Sequence, residues 1–171
     1  MQKDFITVTP DNGNGDATVT VAASENQSEN ARSSTITIAG GGISRTVSLG
    51  QNAGSITYEY DFDENPKWLQ ISRGSIGEGN KKTVSIPSTM KKIVNGNVVE
   101  TSNASWSYKI TETFPTGTSP DFMVIQTSSD SISFYAKQLN TTDYNRAIYV
   151  DVIQSESGKT KSITIAQFPE V

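Results

Sequence analysis

The sequence predicts an all-β protein built from small antiparallel sandwiches. Apolar and polar residues alternate with period two along most of the chain, as in Thr35–Ile38, and no window of a dozen residues holds a helical stripe. The 171 residues are 34% hydrophobic, which suits one or two modest β cores better than a single large one. Short strands at regular spacing, divided by turns rich in glycine, are typical of sandwiches of the immunoglobulin kind.

The alternating runs and the turns between them predict strands in two groups. Those of the first group lie near residues 5–9, 17–23, 34–39 and 44–51. Those of the second lie near 56–62, 68–72, 82–88, 91–99, 105–113, 121–127, 131–138, 147–154 and 161–167. Within the run 91–99, Asn95 and Gly96 predict a tight hairpin, because both accept the positive φ that such a turn demands.

An internal repeat makes the chain one half-unit followed by one whole unit. Asp4–Gln51 returns in altered form as Asp121–Gln167, with a turn that is three residues longer in the first copy. The shared landmarks are an asparagine, an arginine six residues later and a closing glutamine: Asn26, Arg32 and Gln51, then Asn140, Arg146 and Gln167. We therefore expect tandem immunoglobulin-like sandwiches, an incomplete one over residues 1–54 and a complete one over 55–171.

The four recurring landmarks Arg32, Arg146, Gln51 and Gln167 sit at strand starts and strand ends, so we interpret them as caps for backbone groups at the sandwich edge. The segment 1–54 is too short to bury a full core, and its edge strands would present unpaired backbone groups. Three arrangements would complete it: residues 55–90 folding back, packing against the second domain, or strands added by a neighbouring chain.

Charge and composition exclude several classes of function. The formal net charge is -4, with 14 basic and 18 acidic residues, and the basic ones do not gather on one segment. We expect no nucleic-acid partner and no membrane-spanning segment. The chain has no histidine and no cysteine, which excludes nucleophilic schemes based on either residue and zinc sites that use them.

Carboxylates alone offer no recognisable catalytic motif, so we predict no enzyme activity, no cofactor and no metal. A glycosidase needs two carboxylates at a fixed separation. The nominal candidates are Asp61, Asp63, Glu64, Glu78 and Glu112. The run Asp61–Asn65 begins like a calcium loop, but Pro66 occupies the place of the required glycine, and we interpret it as an acidic bend.

Aromatic residues provide the candidate ligand contacts. Alternation predicts that Tyr58, Tyr60 and Phe62 on one strand, and Trp106 and Tyr108 on another, point into a core. A separate aromatic residue, Tyr144, falls in the turn between the second pair of landmarks, Asn140 and Arg146. We therefore predict Tyr144 as the exposed aromatic contact for a glycan.

The ordered landmarks carry a family resemblance. The chain resembles the BACON domains, the Bacteroidetes-associated carbohydrate-binding, often N-terminal family of immunoglobulin-like modules. The matching residues are Trp106–Ile110, Asp121–Phe122, Ile132–Ala136, Asn140, Arg146, Ser157–Lys159 and Ile163–Gln167. The pattern covers 58–167 as a complete unit and 4–51 as the C-terminal half of another, and Phe122 stands where the family commonly has tryptophan.

The resemblance implies a non-enzymatic interaction protein. BACON-like modules resemble pieces of secreted Bacteroidetes enzymes and also virion proteins of phages that infect those bacteria. We expect a virion component, a capsid decoration or head-fibre protein that docks through residues 1–54. The capsid, sister copies and glycans are its expected partners. The alternative is a carbohydrate- or mucin-binding module of a secreted hydrolase or surface lipoprotein.

The expected location follows from the first residues of the sequence. Met1–Pro10 lacks the apolar stretch of a secretion signal, which favours a protein made in a host cytoplasm and packaged in a virion. A trimmed sequence with an added methionine would look the same, and that reading keeps a secreted or cell-surface location open.

Overall fold

The computed structural model describes residues 2–170, and this part of the chain is nearly all β. Its first strands are β1 (Gln2–Lys3), β2 (Ile6–Thr9), β3 (Thr20–Ala23), β4 (Arg32–Gly40) and β5 (Ile43–Gln51). The middle strands are β6 (Ile56–Phe62), β7 (Lys67–Ile71), β8 (Lys82–Ser85), β9 (Ser88–Val94) and β10 (Asn97–Asn103). The last are β11 (Trp106–Phe114), β12 (Met123–Thr127), β13 (Ser131–Ala136), β14 (Arg146–Gln154) and β15 (Thr160–Gln167).

Helical structure over residues 2–170 is limited to single 3₁₀ turns at Glu78–Asn80 and Pro120–Phe122. Among residues 2–170, no helix has the length and apolar character that a membrane span requires. The predicted all-β sandwich fold is confirmed.

The chain divides into two compact units. Unit 1 comprises the described residues up to Tyr58 together with Lys92–Glu100, and unit 2 comprises Glu59–Lys91 and the described residues from Thr101 onward. The boundary predicted between residues 54 and 55 falls inside unit 1, and that division stays a prediction. Strands β6, β9 and β10 form a sheet in the order β10-β9-β6.

Unit 1 has two small sheets and a small core. One sheet has the order β1-β2-β3, and the other is the β4-β5 hairpin. The buried core residues are Ile6, Val8 and Ile36, with Phe5 and Leu49 packed against them. Since the buried apolar area is so limited, much of the inner face of the β4-β5 hairpin stays exposed.

Unit 2 is a larger sandwich. A four-stranded sheet in the order β11-β14-β15-β7 and a three-stranded sheet in the order β12-β13-β8 contribute inward side chains to one core. Within the first of these sheets, β7 runs parallel to β15. The core includes Phe134, Ile148, Val152 and Ile163, all fully buried.

Two strand predictions are wrong, and the reason is local in each case. The run 91–99 is two strands, β9 and β10, joined by Asn95 at φ 50° and Gly96 at φ 83°. The run 82–88 is divided because β8 ends at Ser85 and β9 begins at Ser88. Pro87 lies in the gap, where a residue without an N–H cannot continue a ladder.

Candidate functional site

The first set of landmark residues forms a clamp at one end of unit 1. Arg32 donates from Nε to Gln51 Oε1 at 2.8 Å, and its terminal nitrogen donates to the carbonyls of Ser24 at 2.6 Å and Glu25 at 3.0 Å. Gln51 Nε2 donates to the same Ser24 carbonyl at 2.9 Å. The guanidinium lies 4.3 Å from the ring centroid of Phe5, a cation–π contact.

The second set forms the same clamp in unit 2. Arg146 Nε donates to Gln167 Oε1 at 2.8 Å, and its terminal nitrogen donates to the carbonyls of Gln138 and Leu139, each at 3.0 Å. The guanidinium again lies 4.3 Å from an aromatic centroid, that of Phe122. Burial lowers the pKa of Arg146. Because these polar groups are already engaged in hydrogen bonds within the fold, the clamps hold strand ends and do not present a ligand site.

Tyr144 is held on a well-anchored turn. Its carbonyl accepts hydrogen bonds from Asn140 Nδ2 at 2.8 Å and Thr142 Oγ1 at 3.0 Å. Its side chain is 46% exposed. The lining residues of the two clefts found in the described part of the chain do not include Tyr144. The predicted glycan contact is therefore accessible but stands alone on its turn.

An open cleft of about 550 Å³ lies on unit 2, between the start of β11 and the turn that joins β12 to β13. Its lining consists of Asn103, Ala104, Ser105, Trp106, Ser107, Tyr108, Thr127, Ser128 and Ser129. None of these side chains carries a formal charge. Two aromatic rings and several small hydroxyl groups are the chemistry that the cleft offers to a ligand.

Trp106 and Tyr108 form the aromatic wall of the cleft. Trp106 donates from Nε1 to the Ser129 carbonyl at 3.0 Å and packs against the core, so its ring is fixed in place. Tyr108 pairs with Val152 in the β11–β14 ladder, which puts it on the inward face, yet 39% of its side chain is exposed. The expectation that Tyr108 is buried is wrong, because β11 is the edge strand of its sheet.

On β6, the expectation that the aromatic side chains are buried is correct for one residue and wrong for another. Phe62 is 7% exposed and belongs to the core of unit 2, as predicted. Tyr58, four residues earlier on β6, is 48% exposed, so its predicted burial is wrong. Alternation reports the face that a side chain occupies, whereas burial also depends on what covers that face.

A second cleft, of about 420 Å³, also lies on unit 2 and has a charged lining. It is lined by Glu59, Tyr60, Asp61, Lys91, Ser157 and Lys159. Lys159 Nζ donates to the Tyr60 carbonyl at 2.9 Å, so that ammonium is engaged by the main chain. Among the carboxylates considered for hydrolysis, Asp61 lines this cleft, whereas Glu78 makes a surface ion pair with Lys81 at 3.7 Å.

Asp63 has a structural partner, Lys161, that the sequence did not predict. Lys161 is 1% exposed and donates from Nζ to Asp63 Oδ2 at 2.6 Å and to the Asn65 carbonyl at 2.7 Å. The hydrogen bond from Lys161, followed by those from Asn65, lowers the pKa of Asp63 to about 2. A signal was present, because Lys161 shares the inward face of its strand with Ile163 and Ile165, and a charge in such a place needs a partner.

Several known proteins resemble parts of this chain. Residues 2–52 match the BACON family, described as "Putative binding domain, N-terminal". No curated protein sequence matches the chain. A solved structure described as "NMR structure of the protein from Bacteroides vulgatus ATCC 8482" is similar with a TM-score of 0.44 and 20% identity, over 67% of this chain and 92% of that one.

Two endo-fucoidan hydrolases of glycoside hydrolase family 107 are also similar in structure. Their TM-scores are 0.37 and 0.32, with 14% and 10% identity. The alignments cover 99% and 98% of this chain but only 23% and 26% of the hydrolase chains. The family match falls on the incomplete copy of the repeat, and it confirms the BACON resemblance over residues 2–52.

Proposed function

We propose that the protein is a non-enzymatic binding module and that the cleft at Trp106 and Tyr108 holds a glycan. The observation that carries this proposal is the combination of two aromatic rings with an uncharged lining of hydroxyl groups in one open cleft. The match of residues 2–52 to a family of binding domains supports the general role.

The aromatic wall suits the apolar faces of sugar rings. Aromatic side chains offer flat apolar surfaces, and the tyrosine ring adds a polar hydroxyl at its edge. The indole N–H of Trp106 is already bonded to Ser129, which fixes the ring and keeps the entropy cost of binding low. Tyr108, exposed at the edge of the sheet, supplies the accessible second ring.

The remaining lining suits the hydroxyl groups of a sugar. Thr127 is exposed in the cleft, and a hydroxyl both donates and accepts hydrogen bonds. Ser128 Oγ lies 2.9 Å from Asp130 Oδ1 and 2.7 Å from Ser131 Oγ, so the turn that forms this side of the cleft is internally braced. A lining of this kind favours a neutral polyhydroxylated ligand over a charged one.

Binding to an array of neutral and acidic glycans, followed by calorimetry on the best ligand, tests the site. Tyr108→Ala should weaken binding by about ten-fold, since losing one ring contact costs about 1.4 kcal/mol. Trp106→Phe should weaken it less, because a ring remains. The matched control is Tyr144→Ala, which removes a tyrosine of similar exposure outside the cleft and should leave the affinity unchanged.

Two results would contradict the proposal. One is an array on which no glycan binds the folded protein. The other is loss of binding in Tyr144→Ala with full affinity in Tyr108→Ala, which would support the site predicted from the sequence instead.

A virion setting stays a prediction, and it concerns where the module works. A capsid decoration or head-fibre protein and a module of a secreted hydrolase can carry the same cleft. The neighbouring genes distinguish them: capsid, portal and tail genes favour the virion, whereas an adjoining hydrolase or lipoprotein sequence favours the secreted module.

A further inference from the structure

The two clamps show which strands of unit 1 are equivalent to which strands of unit 2. Arg32 pairs with Gln51 across β4 and β5, and Arg146 pairs with Gln167 across β14 and β15. Counting four residues inward from each arginine gives two further equivalent pairs, Ile36 with Val47 and Val150 with Ile163. On the same basis β3 corresponds to β13, because β2 and β12 begin the two copies of the repeat.

Unit 2 contains three strands, β7, β8 and β11, whose counterparts are missing from the β4-β5 and β1-β2-β3 sheets of unit 1. In unit 2, β7 adds in parallel to the outer edge of β15, and β8 adds antiparallel to the outer edge of β13. Within residues 2–170, no strand pairs with the corresponding outer edges of β5 and β3. Both edges therefore present backbone donors and acceptors of the kind that an added strand satisfies.

The inner faces of unit 1 are exposed where those of unit 2 are covered. Ile38 and Val47 are 52% and 45% exposed. The equivalent residues of unit 2, Val152 and Ile163, are both 0% exposed. The same contrast holds on the other sheet, where Val21 is 39% exposed and its equivalent Phe134 is 0% exposed. Apolar side chains in matching register are thus left uncovered on both sheets of unit 1.

The charge of Arg45 predicts that the missing strand carries an acidic residue. Arg45 pairs with Ile38 across the hairpin and corresponds to Lys161, which pairs with Val152. Lys161 is buried against Asp63, which lies shortly before β7 in the chain. Arg45 is exposed, so the strand that covers β5 is expected to bring an acidic residue to it.

We propose that unit 1 binds an extended segment of a partner polypeptide, which adds a strand in parallel to β5. The segment carries an acidic residue that meets Arg45 and, six and eight residues later, apolar residues that pair with Leu49 and Gln51, the equivalents of Ile165 and Gln167. This is the order in which Asp63, Leu69 and Ile71 occur in unit 2. The interaction is independent of the glycan cleft, which lies on the other unit.

A labelled peptide with the sequence of residues 61–73 is the probe, because it contains the strand that performs this role in unit 2. It should bind the full chain, measured by fluorescence anisotropy, and protect amides of β5 from hydrogen exchange. Val47→Lys should abolish binding, because the side chain lies on the face to be covered. Thr46→Lys, one residue away on the opposite face, is the matched control and should bind normally.

The charge component has its own test. Arg45→Glu should weaken binding of the peptide by about ten-fold, and replacing the aspartate of the peptide at position 63 by lysine should restore it. Failure of the peptide to bind, or equal binding by Val47→Lys and the parent chain, overturns the proposal. A dimer in sedimentation that Val47→Lys dissociates also overturns it, since the occupant is then a second copy of this chain.

Discussion

Lys161 carries a buried charge, and its partner Asp63 is the group that makes the stability of unit 2 depend on pH. Its ammonium is buried, and it relies on Asp63 and two main-chain carbonyls for the hydrogen bonds that water would otherwise provide. Removing one partner from such a pair leaves an uncompensated charge, whereas replacing the buried charge with an apolar side chain is often neutral. The acid partner is therefore expected to be the more sensitive of the two positions.

Asp63→Asn should remove a stabilising contribution that depends on pH. The folded-state pKa of Asp63 is about 2, below the ordinary value of 3.8, so the contribution is present above pH 3.8. It is lost as pH falls from 3.8 through 2. Denaturant unfolding of the parent chain should show this decline, and Asp63→Asn should be less stable at pH 6 with a flatter profile. An identical profile in both proteins would refute the role of the pair.

Gly54 provides a second test at a single residue. A Cβ atom there would lie 2.5 Å from Val94 Cγ1 and 2.6 Å from the Asn26 carbonyl oxygen. Gly54→Ala should therefore destabilise unit 1 by about 1–3 kcal/mol, the usual cost of overpacking. Gly50→Ala is the control, because a Cβ at that strand position meets nothing within 4 Å. Equal unfolding midpoints for the two variants would contradict the predicted clash.

Among the structural elements, the strand ends depend on the clamps. In unit 2, Arg146 satisfies the carbonyls of Gln138 and Leu139, which would otherwise be left without these donors. Arg146→Leu should cost about 2–4 kcal/mol, because the Leu139 carbonyl and Gln167 Oε1 lose the donor that Arg146 provides and the ring contact is lost. Arg73→Leu, at an exposed arginine, should change stability little. Chemical denaturation with intrinsic fluorescence measures both, and a small loss in Arg146→Leu would show that the clamp is not structural.

Much of the strand arrangement was predictable, and the failures have physical causes. Alternation located the β4–β5 and β14–β15 hairpins, since their inward residues recur every second position. It could not show that β7 runs parallel to β15, because a strand sequence does not encode the direction of its neighbour. Alternation also predicted the face of the sheet on which Tyr108 lies. It did not predict the exposure of that side chain, which results from the position of β11 at the edge of the sheet.

The candidate site was less accessible to sequence reasoning than the fold. The cleft depends on the β12–β13 turn lying beside the start of β11, residues that are about twenty positions apart in the chain. The repeat predicts Tyr144 because it makes the turn recognisable, and the structure shows this residue exposed but outside the cleft. A ligand site built from two separate segments has no local sequence signature.

At the scale of the whole molecule, the two units should differ in stability. The core of unit 1 has three buried residues, whereas the core of unit 2 includes large side chains from both of its sheets. Native-state hydrogen exchange should show β4 and β5 opening at a lower free energy than β14 and β15. Exchange of all four strands at one common free energy would show a single cooperative unit instead.

The clamps also determine how freely the sequences of the turns beside them can be changed. Arg146 and Asn140 both hold this turn through main-chain oxygens, and Thr142 is the residue between them whose side chain also anchors it. With Thr142 retained, the segment 141–145 can therefore accept inserted peptides, which would be displayed on a pre-formed turn.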